Sequence, residues 1–148
     1  RGKYNLPMSQ ELPLVLCLDD DPPMLDILSK ILSRLPVKFV VTASPQEAIE
    51  MAQRLRPRLL ILDLMMPEMS GWEVLDKIRG ETPGSDLCVI ILTAKDSGYE
   101  RLVAANVARV DVYLTKPFDA GELARHVLRL LELPSAGAGP DADSDGLG

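Results

Sequence analysis

"LLILDLMMPEMSG" (59–71) opens with a run that is apolar at successive positions and interrupted only by Asp63. A strand with one wet face alternates polar and apolar residues. A run without that alternation marks a strand covered on both faces, as the strands of parallel sheets are. Pro67 and Gly71 then turn the chain into a loop, which leaves Asp63 accessible at the end of a buried strand.

Other short apolar runs lie on both sides, "LVLCL" (14–18), "VKFVVTA" (37–43), "LCVIIL" (87–92) and "VDVYL" (110–114), and three of the five are apolar almost throughout. Between them the apolar residues change period. Met24, Ile27, Leu28, Ile31, Leu32 and Leu35 form one helical stripe. Ser44-Pro45-Gln46-Glu47 reads as a capping box with proline at the first helical position. A third helix is expected over Trp72–Arg79 and a fourth over 98–108. A fifth begins at Asp119 and Glu122, with the stripe Leu123, Val127, Leu130 and Leu131. Strict β-α alternation implies a doubly wound α/β domain with a parallel sheet.

In such sheets ligands bind beyond the carboxyl ends of the strands. The first strand ends on Asp19, Asp20 and Asp21, the third on Asp63 and the fourth on Thr93, and Lys116 follows the fifth. Crowded carboxylates repel unless a cation or hydrogen bonds offset the charge. Clustered acid oxygens suit a hard cation, usually Mg²⁺, which keeps open positions for a phosphate-bearing substrate. A carboxylate beside that ion can attack phosphorus to give an aspartyl phosphate. Lys116 would pair with one phosphoryl oxygen and Thr93 would donate a hydrogen bond to another.

The bulk numbers bound these readings. The 148 residues, 47% hydrophobic and 26% charged, suit one soluble globular domain. A formal net charge of -6 argues against phosphate-backbone binding and so against direct nucleic-acid contact. No apolar run approaches the roughly 18 residues of a membrane span. Cys17 and Cys88 both lie in strand runs and read as buried free thiols, in keeping with a reducing cytoplasm. Residues 1–12 read as a flexible lead-in, with Met8 a candidate start; 13–133 form the domain; 134–148, small and acidic, read as a disordered tail or linker.

With "VLCLDDDPP" (15–23), "LLILDLMMPEMSGWEVL" (59–75), "VIILTAKD" (89–96) and "YLTKPF" (113–118), the chain resembles the receiver domains of two-component response regulators, the CheY-like superfamily. That resemblance implies a (βα)5 flavodoxin-like three-layer sandwich with strand order 2-1-3-4-5. It implies a signalling domain rather than an enzyme, in which Asp63 accepts phosphate from the phosphohistidine of a sensor histidine kinase or phosphotransfer protein. Mg²⁺ or Mn²⁺ would be held by Asp20, Asp63 and the Met65 carbonyl, with Asp19 acting directly or through water. Thr93 and Lys116 would bind the phosphoryl group, and a cis bond before Pro117 would aim the lysine inward. Met65 and Lys95 would tune the lifetime of the aspartyl phosphate.

The resemblance further implies a switch. Thr93 moves toward the phosphate and Tyr113 turns into the space it leaves. The face of the fourth helix, fifth strand and fifth helix then changes shape for an output domain, a protein partner or a second copy. Arg109-Val110-Asp111-Val112-Tyr113 departs from the family's small glycine-containing turn and alters that face, and the Thr93–Lys116 interval is one residue longer than usual. His126 reads as a solvated helix residue. Two other functions fit these residues less well. A haloacid-dehalogenase-type phosphatase needs an acid where Met65 stands, and a degenerate receiver that only binds partners would not need the complete acid set.

Overall fold

The apolar runs pair side by side in the computed structural model, which describes residues 11–83, 85–94 and 109–134. β1 (Leu14–Leu18), β2 (Lys38–Thr42), β3 (Leu59–Asp63), β4 (Cys88–Ala94) and β5 (Val112–Lys116) form one parallel sheet in the order β2-β1-β3-β4-β5. Side chains alternate across a strand, so each run feeds two cores. Val15, Cys17, Leu59, Ile61, Ile90 and Leu92 belong to one core, and Leu16, Leu18, Leu60, Leu62, Val89 and Ile91 to the other.

Helices close both faces. α1 (Pro22–Leu32) and the C-terminal helix (Ala120–Leu130) bring Leu28, Leu32, Leu123 and Val127 to the first core. α2 (Pro45–Leu55) and α3 (Gly71–Glu81) bring Ala48, Ile49, Val74, Leu75 and Ile78 to the second. Full burial of each such leucine or isoleucine stabilises by about 1.5–3 kcal/mol, which is why the unalternating runs sit at the centre. The helix expected over 98–108 lies outside the described residues, as do residues 1–10 and 135–148. No described helix is long and apolar enough to cross a membrane.

Local chemistry moves several boundaries. The fifth strand begins at Val112 rather than Val110, because the Val89 N–H donates to the Asp111 carboxylate at 2.8 Å instead of to a backbone carbonyl. At its other end β5 runs as far as Lys116, its last residue. β4 runs on through Thr93 to Ala94. The Ser44 capping box is half formed. Ser44 Oγ accepts from the Glu47 N–H at 3.1 Å, but the Glu47 carboxylate takes the Thr42 hydroxyl, and the Ser44 N–H donates to Thr42 Oγ1. The complete box is at α3, where the Ser70 N–H donates to Glu73 Oε1 at 3.0 Å and the Glu73 N–H to Ser70 Oγ at 3.2 Å. Cys17 is buried as expected, whereas Cys88 is only half-buried at the start of its strand.

Ser70→Ala removes the Oγ half of the α3 cap and keeps the backbone half, in which the residue-70 N–H donates to Glu73. It is expected to lower the unfolding free energy by about 1 kcal/mol, read as a lower urea midpoint at unchanged slope; an unmoved midpoint would show that the cap carries no weight.

Candidate functional site

Register brings the acids together. Leu18 pairs with Leu62 as the last β1–β3 couple, so Asp19 lies level with Asp63. Asp63 pairs with Leu92, and Ala94 with Lys116. Asp63 and Lys116 keep the parity of Ile61 and Leu114, and Asp19 continues that of Cys17, so all three favour the face under α1 and the C-terminal helix. Thr93 has the opposite parity, that of Ile91, and shares it with Tyr113, which packs on the α2–α3 core.

The first group is tight. Lys116 Nζ lies 2.7 Å from Asp19 Oδ2 and 3.8 Å from Asp63 Oδ2. Carboxylate oxygens of Asp19, Asp20 and Asp63 lie within 4.8 Å of one another. Asp19 and Asp63 are 1% and 5% exposed, while Asp20 is open to solvent. Asp19 Oδ1 accepts the Asp21 N–H at 3.0 Å, and Asp63 Oδ1 accepts the Met65 N–H at 3.3 Å. Asp21 itself stays outside the cluster as the N-cap of α1.

Burial, and then the neighbouring charge of Asp19, push the Asp63 carboxyl up from the ordinary 3.8 to about 6; Lys116 and the Met65 N–H pull it down without cancelling the rise. Beneath Asp19, burial and that same charge push the Cys17 thiol up, so it remains a thiol. Among the described residues one ammonium faces three carboxylates, a net negative set. All-oxygen donors with excess negative charge and one exposed member fit a hard divalent cation.

The other expected residues are more scattered. Thr93 is 1% exposed, and among the described residues its hydroxyl donates only at 3.5 Å, to the Ala94 carbonyl. Tyr113 is half-buried and meets Trp72 edge-on, with ring centroids 6.3 Å apart and planes at 60°. The Met65 side chain is 51% exposed, and the Lys116–Pro117 bond is cis. Lys95 lies outside the described residues. His126 is not simply solvated: it is half-buried, with Nδ1 2.9 Å from Arg129 Nη2 and Nε2 3.8 Å from a Glu122 carboxylate oxygen.

Gly71 holds the acid loop against α3. Its N–H donates to the Leu64 carbonyl at 2.9 Å, and a Cβ there would meet the Asp63 carbonyl oxygen at 2.5 Å. Sequence reasoning missed the cluster beyond it. Arg109 stacks over Trp72 with its guanidinium carbon 5.0 Å from the ring centroid, and pairs with Asp76. The available signal was Trp72 and Asp76 one turn apart on a single helix face.

The family model for the response regulator receiver domain matches residues 15–128. A Mycobacterium tuberculosis protein named "Probable transcriptional regulatory protein TcrX" is 41% identical over 119 residues, covering 80% of this chain and 48% of that protein. Response regulator MprA of Mycobacterium leprae is 40% identical over 117 residues, covering 79% and 50%. The chain thus spans about half the length of these curated relatives. The crystal structure of a CheY-like response regulator receiver domain protein from Methanospirillum hungatei superposes with a TM-score of 0.70 at 28% identity, covering 82% of this chain and 95% of that one.

The folded protein holds the Asp63 proton more tightly than the unfolded chain does. Stability therefore falls as pH rises from 3.8 through about 6 and stays reduced above that. In EDTA at pH 7.5, Asp63→Asn is expected to be more stable than the parent by about 2–3 kcal/mol. The gap should close below the ordinary carboxylate range, and equal urea midpoints at both pH values would refute the buried-charge account.

Proposed function

The chain belongs to the response regulator receiver domain family, and from that premise we propose that Asp63 is its phosphoacceptor in a two-component phosphorelay. Members of this family generally relay signals rather than turn over substrate. The observation that carries the reading is the meeting of Asp19, Asp20, Asp63 and Lys116, drawn from three separate strand ends.

With its carboxyl near 6, Asp63 is ionised at neutral pH and available as a nucleophile. Its free oxygen attacks the phosphorus of a phosphohistidine on a sensor histidine kinase or phosphotransfer protein. The O–P bond forms as the P–N bond breaks, the electron pair returns to the ring nitrogen, and solvent supplies the proton that the leaving imidazole takes. Asp19, Asp20, Asp63 and the Met65 carbonyl would hold Mg²⁺ or Mn²⁺, which would supply positive charge toward the phosphoryl oxygens. Lys116, already 3.8 Å from Asp63, pairs with one of those oxygens.

Thr93 then carries the signal. Its hydroxyl holds only a contact at the outer limit of hydrogen bonding, so it is readily recruited to a phosphoryl oxygen. Tyr113 shares its side of the sheet and follows into the vacated space. The surface around β5 and the C-terminal helix changes for an output domain, a protein partner or a second copy of the chain. Phosphate shifts this equilibrium only by its differential interaction with the two states. Met65 stands where a haloacid-dehalogenase-type phosphatase carries its acid, so that position offers no general acid for turnover of an added phosphate ester.

Intact-mass measurement with acetyl phosphate and Mg²⁺ tests the assignment. The parent should gain one phosphoryl group, Asp63→Asn none, and EDTA should suppress the gain. Equal labelling of Asp63→Asn, or sustained phosphate release from an aryl phosphate, would overturn it.

A further inference from the structure

Three side chains next to the switch take no part in the chemistry above. Trp72 and Asp76 are four residues apart on α3 and so share a helix face. Arg109, ahead of β5, lies across both. Its guanidinium carbon is 5.0 Å from the Trp72 ring centroid, and Nη2 pairs with Asp76 Oδ1. Its backbone is fixed as well, since Arg79 Nη1 donates to the Arg109 carbonyl at 2.7 Å. The indole also meets Tyr113 edge-on, with ring centroids 6.3 Å apart. Trp72 Nε1 is buried without a hydrogen-bond partner among the described residues. Contacts with its neighbours, rather than an indole hydrogen bond, therefore set where the ring lies.

We propose that Arg109 is a positioning residue for Tyr113: clamped to α3, it holds Trp72 as a backstop that keeps the tyrosine in its present place and so restrains the switch. The inference rests on the receiver reading and deepens it. Turning Tyr113 gives up the edge-on contact with Trp72, which the clamp prevents from following. The clamp thus favours the unphosphorylated arrangement, and weakening it raises the population ready for a phosphoryl group. The geometry also gives a readout. The chain has one tryptophan, so its fluorescence reports this single position.

The test is a titration of the chain with beryllofluoride and Mg²⁺, following Trp72 emission and, independently, fluorine NMR of the bound anion. Arg109→Ala loses both the stack and the ion pair. Exposed contacts of these kinds are worth about threefold to fivefold in an equilibrium, so its midpoint should fall by about that factor. Asp76→Asn, at a side chain 65% exposed, should shift it the same way by less. Arg109→Lys, which keeps the charge but not the planar stack, should fall between the parent and Arg109→Ala. Circular dichroism establishes that each variant is folded, and Asp76→Asn decides the matter if Arg109→Ala is not. Midpoints equal to the parent's or above it, in folded variants that saturate, would reduce the clamp to ordinary packing. A parent showing no bound beryllofluoride by NMR would overturn the receiver reading itself, and this inference with it.

Discussion

Two carboxylates removed from water share one ammonium: Lys116 Nζ is 2.7 Å from Asp19 and 3.8 Å from Asp63. Like charges at this spacing are costly unless something offsets them, and a single lysine offsets only part. The cost exists because the sheet is dry on both faces. Val15, Leu16, Leu60 and Ile61 exclude water up to the strand ends, so the acids meet at the edge of a low-dielectric layer. On a sheet with one wet face, Asp63 would be solvated, with an ordinary pKa and little to distinguish it from other surface aspartates.

The same sheet separates the acid cluster from the aromatic pair. Asp19, Asp63 and Lys116 follow one parity, that of Cys17, Ile61 and Leu114, while Thr93 and Tyr113 follow the other. In the proposed switch, a change at Asp63 crosses the layer to reach the aromatic pair. Thr93, buried at the end of β4, is one crossing point. The acid loop is another, because Gly71 packs against the Asp63 backbone and opens the helix whose next residue is Trp72. Both routes converge on the contact between Trp72 and Tyr113.

Features governed by local rules were legible in the sequence. Unalternating apolar runs gave the strands and their burial, and strand-end acids gave the cluster, because parallel topology alone carries those residues to one rim. Features decided by tertiary competition were not. Ser44 and Glu47 have the spacing of a capping box, yet the Thr42 hydroxyl at the end of β2 captures the glutamate. Val110 continues an apolar run, yet the Asp111 carboxylate takes the Val89 N–H and delays the strand. The Asp111 substitution for a backbone acceptor leaves no mark on hydrophobic periodicity. Arg109 was visible as an added cation in the turn before β5, but its partners Trp72 and Asp76 are distant in the chain and meet it only after folding.

Charge also bears on why the proposed chemistry calls for a cation. The phosphodonor is an anion, the chain carries a formal net charge of -6, and three carboxylates crowd the target. At an effective dielectric near 20, like unit charges about 4 Å apart repel by about 4 kcal/mol. Lys116 can neutralise roughly one such interaction, leaving others unopposed. Each 1.4 kcal/mol or so left in the barrier slows a reaction about tenfold, so a phosphodonor approaching the bare acids would be slowed by orders of magnitude. A dication among Asp19, Asp20 and Asp63 reverses the sign of the local field. The arrangement that penalises a bare Asp63 is therefore the one that would make its phosphorylation dependent on the ion.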